Sequence, residues 1–189
     1  MFKTRNERTT NLLKTLSAMV FLAVIFFGIA AEGTDKFDIM IGKSSESNDI
    51  DPMLVKAVIS KESNFNPDAR GKSGEIGLMQ VRICAAADWA KALDKNVPSE
   101  EELSIPEINI EIGSWYLARA IKSWSDYKHS VVLALCEYNA GRRRALEWMP
   151  CRKSGQVSIT IESTRAYVRD VISRYSEFAS EGTALVYSR

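Results

Sequence analysis

A chain of 189 residues has room for one domain of ordinary size with a short extension at each end. Apolar residues make up 46% and charged residues 26%, a globular balance that excludes wholesale disorder. With 25 basic against 24 acidic residues and a net charge of +1, the chain has no electrostatic footprint for nucleic acid, and none is expected as a partner.

The N-terminus differs from the rest. Lys3, Arg5, Arg8 and Lys14 lead into an uncharged stretch, Thr15 to Ala31, whose centre from Met19 to Phe27 is strongly apolar. Gly28 and Ala30 place small residues three before and one before a cut ahead of Ala31. Residues 1–30 therefore read as a secretory signal peptide. The stretch is marginal against the roughly 20 apolar residues of a membrane span, so an uncleaved N-terminal anchor is the alternative. No cysteine follows closely enough for a lipoprotein. The expected location is periplasmic or otherwise exported, or the inner membrane if the leader is kept. Cleavage would remove four of the 25 basic residues and one of the 24 acidic ones, turning the net charge slightly negative.

Residues 31–48 mix Gly, Ser, Asp and Asn and read as a linker. Asp51-Pro52 opens a helix, with Asp as cap and Pro in the first turn. Val55, Val58, Ile59 and Glu62 follow on one helical face. Residues 64–76 are rich in Asn, Pro, Gly and Ser and predict an irregular loop, with room for a short hairpin at most. Around Gly77 the chain turns back into helix through Val81, Ala85 and Trp89. Pro98 and Ser99 begin a connection, and Glu100 to Glu102 supply charge for the next helix start. Ile108, Ile112, Trp115, Tyr116 and Ala118 to Ile121 outline a longer helix. Val131 to Ala140 is an apolar helix that Gly141 can end. Residues 163–178 form a last amphipathic helix with Val168, Val171, Ile172 and Tyr175 on its buried side, and 179–189 remain as a tail. The predicted fold is mainly α, a single domain over residues 49–178.

Cys84, Cys136 and Cys151 match no metal-ligand spacing. Cys136 lies in an apolar run and reads as a buried small side chain. A Cys84–Cys151 or Cys136–Cys151 bridge stays open in an oxidising compartment. His129, the only histidine, has no nucleophile that the sequence pairs with it and reads as a solvated helix start.

Glu62 carries the most chemical information. It is a lone carboxylate at the end of an apolar stripe, where burial raises a carboxyl pKa toward neutrality and suits it to give up a proton. Four segments then stand in order: Lys61-Glu62-Ser63-Asn64-Phe65-Asn66-Pro67, Gly74-Glu75-Ile76-Gly77-Leu78-Met79-Gln80-Val81, Ala134-Leu135-Cys136-Glu137-Tyr138-Asn139-Ala140-Gly141 and Ala166-Tyr167-Val168. Together they resemble the lytic transglycosylase domain of the soluble bacterial type, a relative of goose-type lysozyme. The resemblance excludes both termini.

It implies a lysozyme-like fold and a role for Glu62 as catalytic acid and then base. The bond cut would be that between N-acetylmuramic acid and N-acetylglucosamine in peptidoglycan. The muramyl 6-hydroxyl would close on the anomeric carbon to leave a 1,6-anhydro end. Common glycosidases pair two carboxylates, whereas this family uses one, with help from the substrate's N-acetyl group. Ser63, Met79, Gln80, Tyr138, Asn139 and Tyr167 would form the substrate site. Met79 would be a soft apolar wall, Gln80 an amide for sugar hydroxyls or the acetamido group, and Tyr138 a lining residue. Asn139 would hold the saccharide or cap its helix, and Tyr167 would hydrogen-bond the Glu62 carboxyl. No metal or organic cofactor is implied. The expected partner of a monomeric enzyme is the peptidoglycan glycan strand, and the small size suits service to a cell-envelope secretion or conjugation machine.

Two rivals stay in view. A muramidase on the same fold would need a second carboxylate to position water, with Glu75 the candidate. A non-catalytic peptidoglycan-binding accessory would have no need of the acid. The chain also departs from the family pattern. Arg142-Arg143-Arg144 stands where Gly or Pro is usual and reads as a solvated face, with peptide-stem carboxylates as an alternative partner. Cys84 replaces a proline or small hydroxyl residue. Glu137 replaces a small residue and reads as surface or as a packing ion-pair partner.

Overall fold

The expected helical fold is present. The computed structural model describes residues 36–187 and contains α1 (Asp38–Asn48), α2 (Pro52–Ser63), α3 (Ile83–Ala92), a 3-10 turn (Glu102–Ser104), α4 (Pro106–Ser123), α5 (Ser130–Ala140), α6 (Arg142–Trp148) and α7 (Glu162–Tyr187). Among the described residues the extended pairing amounts to two isolated antiparallel bridges, Arg70–Ile76 and Ile76–Val81, so the hairpin allowed for in residues 64–76 shrinks to these. No helix of the described residues is long and apolar enough to cross a membrane. The leader of residues 1–30 lies outside the described residues.

Helix α2 starts as its sequence dictates. The Asp51 carboxylate accepts the Met53 N–H at 2.8 Å, and Pro52 needs no partner for a missing N–H. Leu54, Val55, Ala57, Val58 and Ile59 are buried, and α2 packs chiefly on α7. Polar pairs run antiparallel along that seam: Tyr175 to Asp51 at 2.7 Å, Arg174 to Ser60 at 2.6 Å, and Lys61 to Asp170 at 2.6 Å.

Three boundaries differ from the sequence reading. Residues 38–48, taken as linker, are α1. Its composition is polar, but Ile41, Ser44 and Ser45 are buried, and the small serines let it approach α4, where Ser44 donates to the Ile110 carbonyl at 3.4 Å. Tertiary contact overrides weak helix propensity here. The tail is likewise not separate, because α7 continues through Tyr187. Past Gly141 the arginine run opens a further short helix, α6, which the sequence reading did not outline.

The central element is α4. Asn109, Ile110, Ile112, Gly113, Ser114, Leu117 and Ala120 form its buried side. Asn109 is 0% exposed, and its amide donates to the carbonyls of Ile76 at 2.8 Å and Leu103 at 2.7 Å while its oxygen accepts the Met79 N–H at 2.8 Å. One side chain thus satisfies three buried backbone groups of the loop between α2 and α3 and of the 3-10 turn. Two glycines admit this contact. A Cβ on Gly113 would lie 2.5 Å from the Met79 sulfur, and one on Gly77 would lie 2.5 Å from the Asn109 amide nitrogen, at a φ of +76°.

All three cysteines are free thiols, so neither bridge is present. Cys136 is fully buried, which pushes its thiol up to about 12 and leaves it inert.

Truncating Asn109 to Ala strands one N–H and two carbonyls in the interior. Each stranded group costs about 1–3 kcal/mol, incompletely additive. Urea unfolding of Asn109→Ala is expected to show a loss of about 3 kcal/mol or more, and a loss below about 1 kcal/mol would contradict the assigned role.

Candidate active site

Glu62 sits in the last turn of α2, at the helix end where the peptide dipole disfavours an anion. The helix stops directly behind it: Asn64 and Phe65 both take left-handed backbone, with φ of +51° and +61°, and the Asn64 N–H closes on the Ser60 carbonyl at 3.1 Å. Such a conformation is uncommon for Asn and an outlier for a bulky aromatic. The turn carries the chain away and leaves the Glu62 carboxyl in a cleft of about 420 Å³. Gln80, Tyr138 and Asn139 line this cleft with Glu62, as do Glu75, Arg82 and Tyr116. A larger hollow of about 1190 Å³ lies along α1 and α4, but it holds neither Glu62 nor any residue of the four segments, so the smaller cleft is the candidate site.

The environment of Glu62 raises its carboxyl from an ordinary 4.5 to about 7. Burial is the main cause, and the negative charge of Glu75 adds to it; the Tyr167 hydroxyl and the Lys61 ammonium pull the other way. Tyr167 is 5% exposed and donates to Glu62 Oε1 at 2.7 Å. Lys61 is held off by its ion pair with Asp170. Burial and the nearby Glu62 charge also push the Tyr167 and Tyr138 phenols well above their usual range, so both stay neutral hydrogen-bonding groups.

The expected site residues separate into two groups. Tyr138 is half-buried, donates to the Met79 carbonyl at 2.8 Å and meets Tyr116 edge to face at 6.3 Å. Asn139 is exposed at the cleft, with no side-chain partner among the described residues. Gln80 lines the cleft but commits its NH2 to the carbonyls of Gly77 at 3.0 Å and Ala69 at 3.2 Å, leaving its oxygen for a ligand. The others lie behind the wall. Met79 is fully buried, with its sulfur packed at Gly113, so its side chain is core rather than a sugar-facing wall. The Ser63 hydroxyl donates back to the Ile59 carbonyl at 3.2 Å, and Tyr167 reaches the acid from the buried side. Neither Ser63 nor Tyr167 lines the cleft.

Glu137 is 4% exposed, which overturns the surface reading and leaves that of packing partner. Its carboxylate accepts from Trp124 Nε1 at 2.8 Å and from Arg142 Nη1 at 2.7 Å, and the Arg142 guanidinium lies 4.9 Å from the centre of the Trp124 ring. Arg142 also donates to the Ser123 hydroxyl at 2.9 Å, so this network ties α4, α5 and α6 together at the cleft's edge. Arg143 and Arg144 pair with Glu147, so the arginine run serves local packing and its own helix. Glu75 is half-buried and accepts the Ser73 N–H at 2.8 Å through one oxygen. His129 is half-buried rather than solvated, just ahead of α5.

Asn109 is the main contributor that sequence reasoning missed. Its only signal was a polar residue inside the apolar periodicity of α4, four residues before a glycine.

Because the folded Glu62 binds its proton more tightly than the unfolded chain does, its ionisation weakens the fold. That cost is absent below about pH 4.5, grows as pH rises and is complete above about 7. It amounts to about 3 kcal/mol at most. Glu62→Gln should therefore unfold at higher denaturant than the wild type at pH 8, with the gap closing by about pH 4.5. A gap independent of pH would contradict the assigned environment.

Comparisons with known proteins bear on the family and the fold. The family model described as the transglycosylase SLT domain matches residues 39–159, α1 included. Membrane-bound lytic murein transglycosylase E of Buchnera aphidicola subsp. Acyrthosiphon pisum is 32% identical over 96 residues, covering 50% of this chain and 43% of that protein. Membrane-bound lytic murein transglycosylase C of Edwardsiella ictaluri is 33% identical over 129 residues, covering 64% and 35%. The soluble lytic murein transglycosylase of Salmonella typhimurium is 28% identical over 155 residues, covering 75% and 23%. The chain thus spans less than half the length of each. Among solved structures, an inactive mutant of lytic transglycosylase Slt from Pseudomonas aeruginosa superimposes with a TM-score of 0.68 at 24% identity, covering 77% of this chain and 24% of that one. The 70 kDa soluble lytic transglycosylase of Escherichia coli gives 0.66 at 25% identity, covering 76% and 24%. On the family match over most of the described helices, this chain belongs to the transglycosylase SLT domain family.

Proposed function

We propose that the domain is a peptidoglycan lytic transglycosylase that cleaves between N-acetylmuramic acid and N-acetylglucosamine with Glu62 as its single acid and base. The observation that carries this is a carboxyl with a pKa of about 7 in a cleft also lined by Gln80, Tyr138 and Asn139. With Oε1 engaged by Tyr167, Oε2 is the oxygen left to face the substrate. In the first step Glu62 gives its proton to the glycosidic oxygen, the bond to the muramyl anomeric carbon breaks, and the N-acetylglucosamine hydroxyl leaves. In the second the Glu62 carboxylate takes the proton of the muramyl 6-hydroxyl as that oxygen bonds to the anomeric carbon. No water is consumed, the product is a 1,6-anhydro end, and Glu62 is again protonated.

A pKa near working pH suits a group that must both give and take a proton. Asn139 and the Gln80 oxygen are polar groups free to hold the sugars, and Tyr138 and Tyr116 supply aromatic surface. The substrate lies outside the cytoplasmic membrane, so the same reading makes residues 1–30 an export leader, cleaved or kept as an anchor. Service to an envelope-spanning machine remains an extension of it.

A second reading rests on one observation, that Glu75 lines the cleft and acts on Glu62. If Glu75 positions water, the enzyme is a muramidase. Mass spectrometry of fragments released from peptidoglycan separates the two. Anhydro ends from the wild type, and at least about 100-fold fewer from Glu62→Gln, are the expected result. Reducing ends would replace the lyase with a hydrolase and point to Glu75→Gln as the next variant. No fragments from a folded protein that still sediments with the wall would leave only a binding role. The lyase should lose kcat/KM above about pH 7, as free Glu62 gives up its proton.

A further inference from the structure

We propose that Arg82 makes this cleft selective for glycan whose muramyl residues carry a carboxylate on their O3 substituent. The proposal rests on the peptidoglycan reading above and deepens it. Arg82 lies just ahead of α3, two residues past Gln80, and lines the cleft with Glu62, Glu75 and Asn139. It is the only Lys or Arg among the described residues that line the cleft. Its side chain is exposed and, among the described residues, has no hydrogen-bond or ion-pair partner.

The other charged groups nearby are already engaged. Glu137 is held by Trp124 and Arg142, Glu75 accepts the Ser73 N–H, and Glu62 is bound by Tyr167. The Lys61 ammonium, which favours the Glu62 charge, is paired with Asp170, whereas the Arg82 head has no such partner among the described residues and is free for an incoming anion. Arg142, Arg143 and Arg144 pair with Glu137 and Glu147, which leaves Arg82 as the cleft's available guanidinium.

A guanidinium presents a planar pair of N–H donors that fits a carboxylate. The sugar rings of peptidoglycan are neutral. Its carboxylates lie on the muramyl O3 substituent, either along the peptide stem or, where the stem has been removed, on the bare lactyl group. Both sources offer the same anion beside the sugar that Glu62 must reach.

The test is equilibrium binding in the full chain carrying Glu62→Gln, which reads affinity without turnover. The soluble ligands are stem-bearing glycan oligomers, the same oligomers stripped by an amidase, and neutral N-acetylglucosamine oligomers. Adding Arg82→Gln should weaken binding of a carboxylate-bearing glycan by about three- to tenfold and shift the neutral oligomer less than twofold. Arg82→Lys should recover part of the loss, and added salt should narrow the difference. A loss confined to stem-bearing glycan assigns the stem carboxylate; a loss on stripped glycan assigns the lactyl group. Equal losses on the neutral and anionic ligands, or no loss on any, would overturn the proposal. If the wild type binds these glycans and cleaves none, the lyase reading fails while the Arg82 assignment is still decided.

Discussion

Three hydrogen bonds of the buried Asn109 amide, two donated and one accepted, fix the 3-10 turn and the loop on which the rest of the cleft is assembled. The loop after α2 has almost no secondary structure of its own, only two isolated bridges. Its buried backbone groups still need partners, and α4 supplies them through this one side chain. Held there, the Met79 carbonyl receives the Tyr138 hydroxyl, which aligns α5 with the loop. Gln80 then adopts a left-handed backbone, with φ of +48°, and clamps Ala69 and Gly77 with its amide. Gly77 and Gly113 belong to the same constraint, because a methyl group at either would strike Asn109 or Met79.

Glu62 is governed by a different balance. Burial opposes its charge and Glu75 adds to the opposition, while Tyr167 and Lys61 favour it. Had burial acted with no opposing partner, the proton would be held too tightly to be released. Had the hydrogen bond and cation dominated, the group would be an ordinary carboxylate with no proton to give at neutral pH. The result near 7 reflects an excess of desolvation amounting to about 3 kcal/mol. That cost is borne by α2 and α7, whose seam carries the Tyr167 contact and the Lys61–Asp170 pair. Stability is given up at one residue where the proposed acid–base role needs a displaced pKa.

Much of this was legible in the sequence, and the parts that were not have physical reasons. Helix α2 announced itself through an Asp-Pro start and an apolar stripe ending at Glu62, and α5 through its apolar run and terminal Gly141. Helix α1 did not, since its serines look like linker until α4 is there to receive them. Met79 was misplaced because a motif gives neighbours in sequence, whereas Gly113 decides where a methionine can go. Asn109 looked like any polar residue on a helix, and only the fold shows that it faces inward. The arginine run was read as a solvated face, which holds for the exposed Arg143, but the buried Glu137 also recruits Arg142 as its counter-charge. Pairings across distant segments decide all of these, and no local pattern records them.

The central claim is that the Glu62 carboxyl holds its proton to near neutrality. The direct measurement is a carbon-13 NMR titration of side-chain carboxyl resonances in the folded protein, with Glu62 assigned by comparison with Glu62→Gln. The account expects a midpoint close to 7, well apart from the exposed glutamates. A midpoint near 4.5 would contradict it, because a carboxylate already ionised at neutral pH could not open the glycosidic bond by the route proposed.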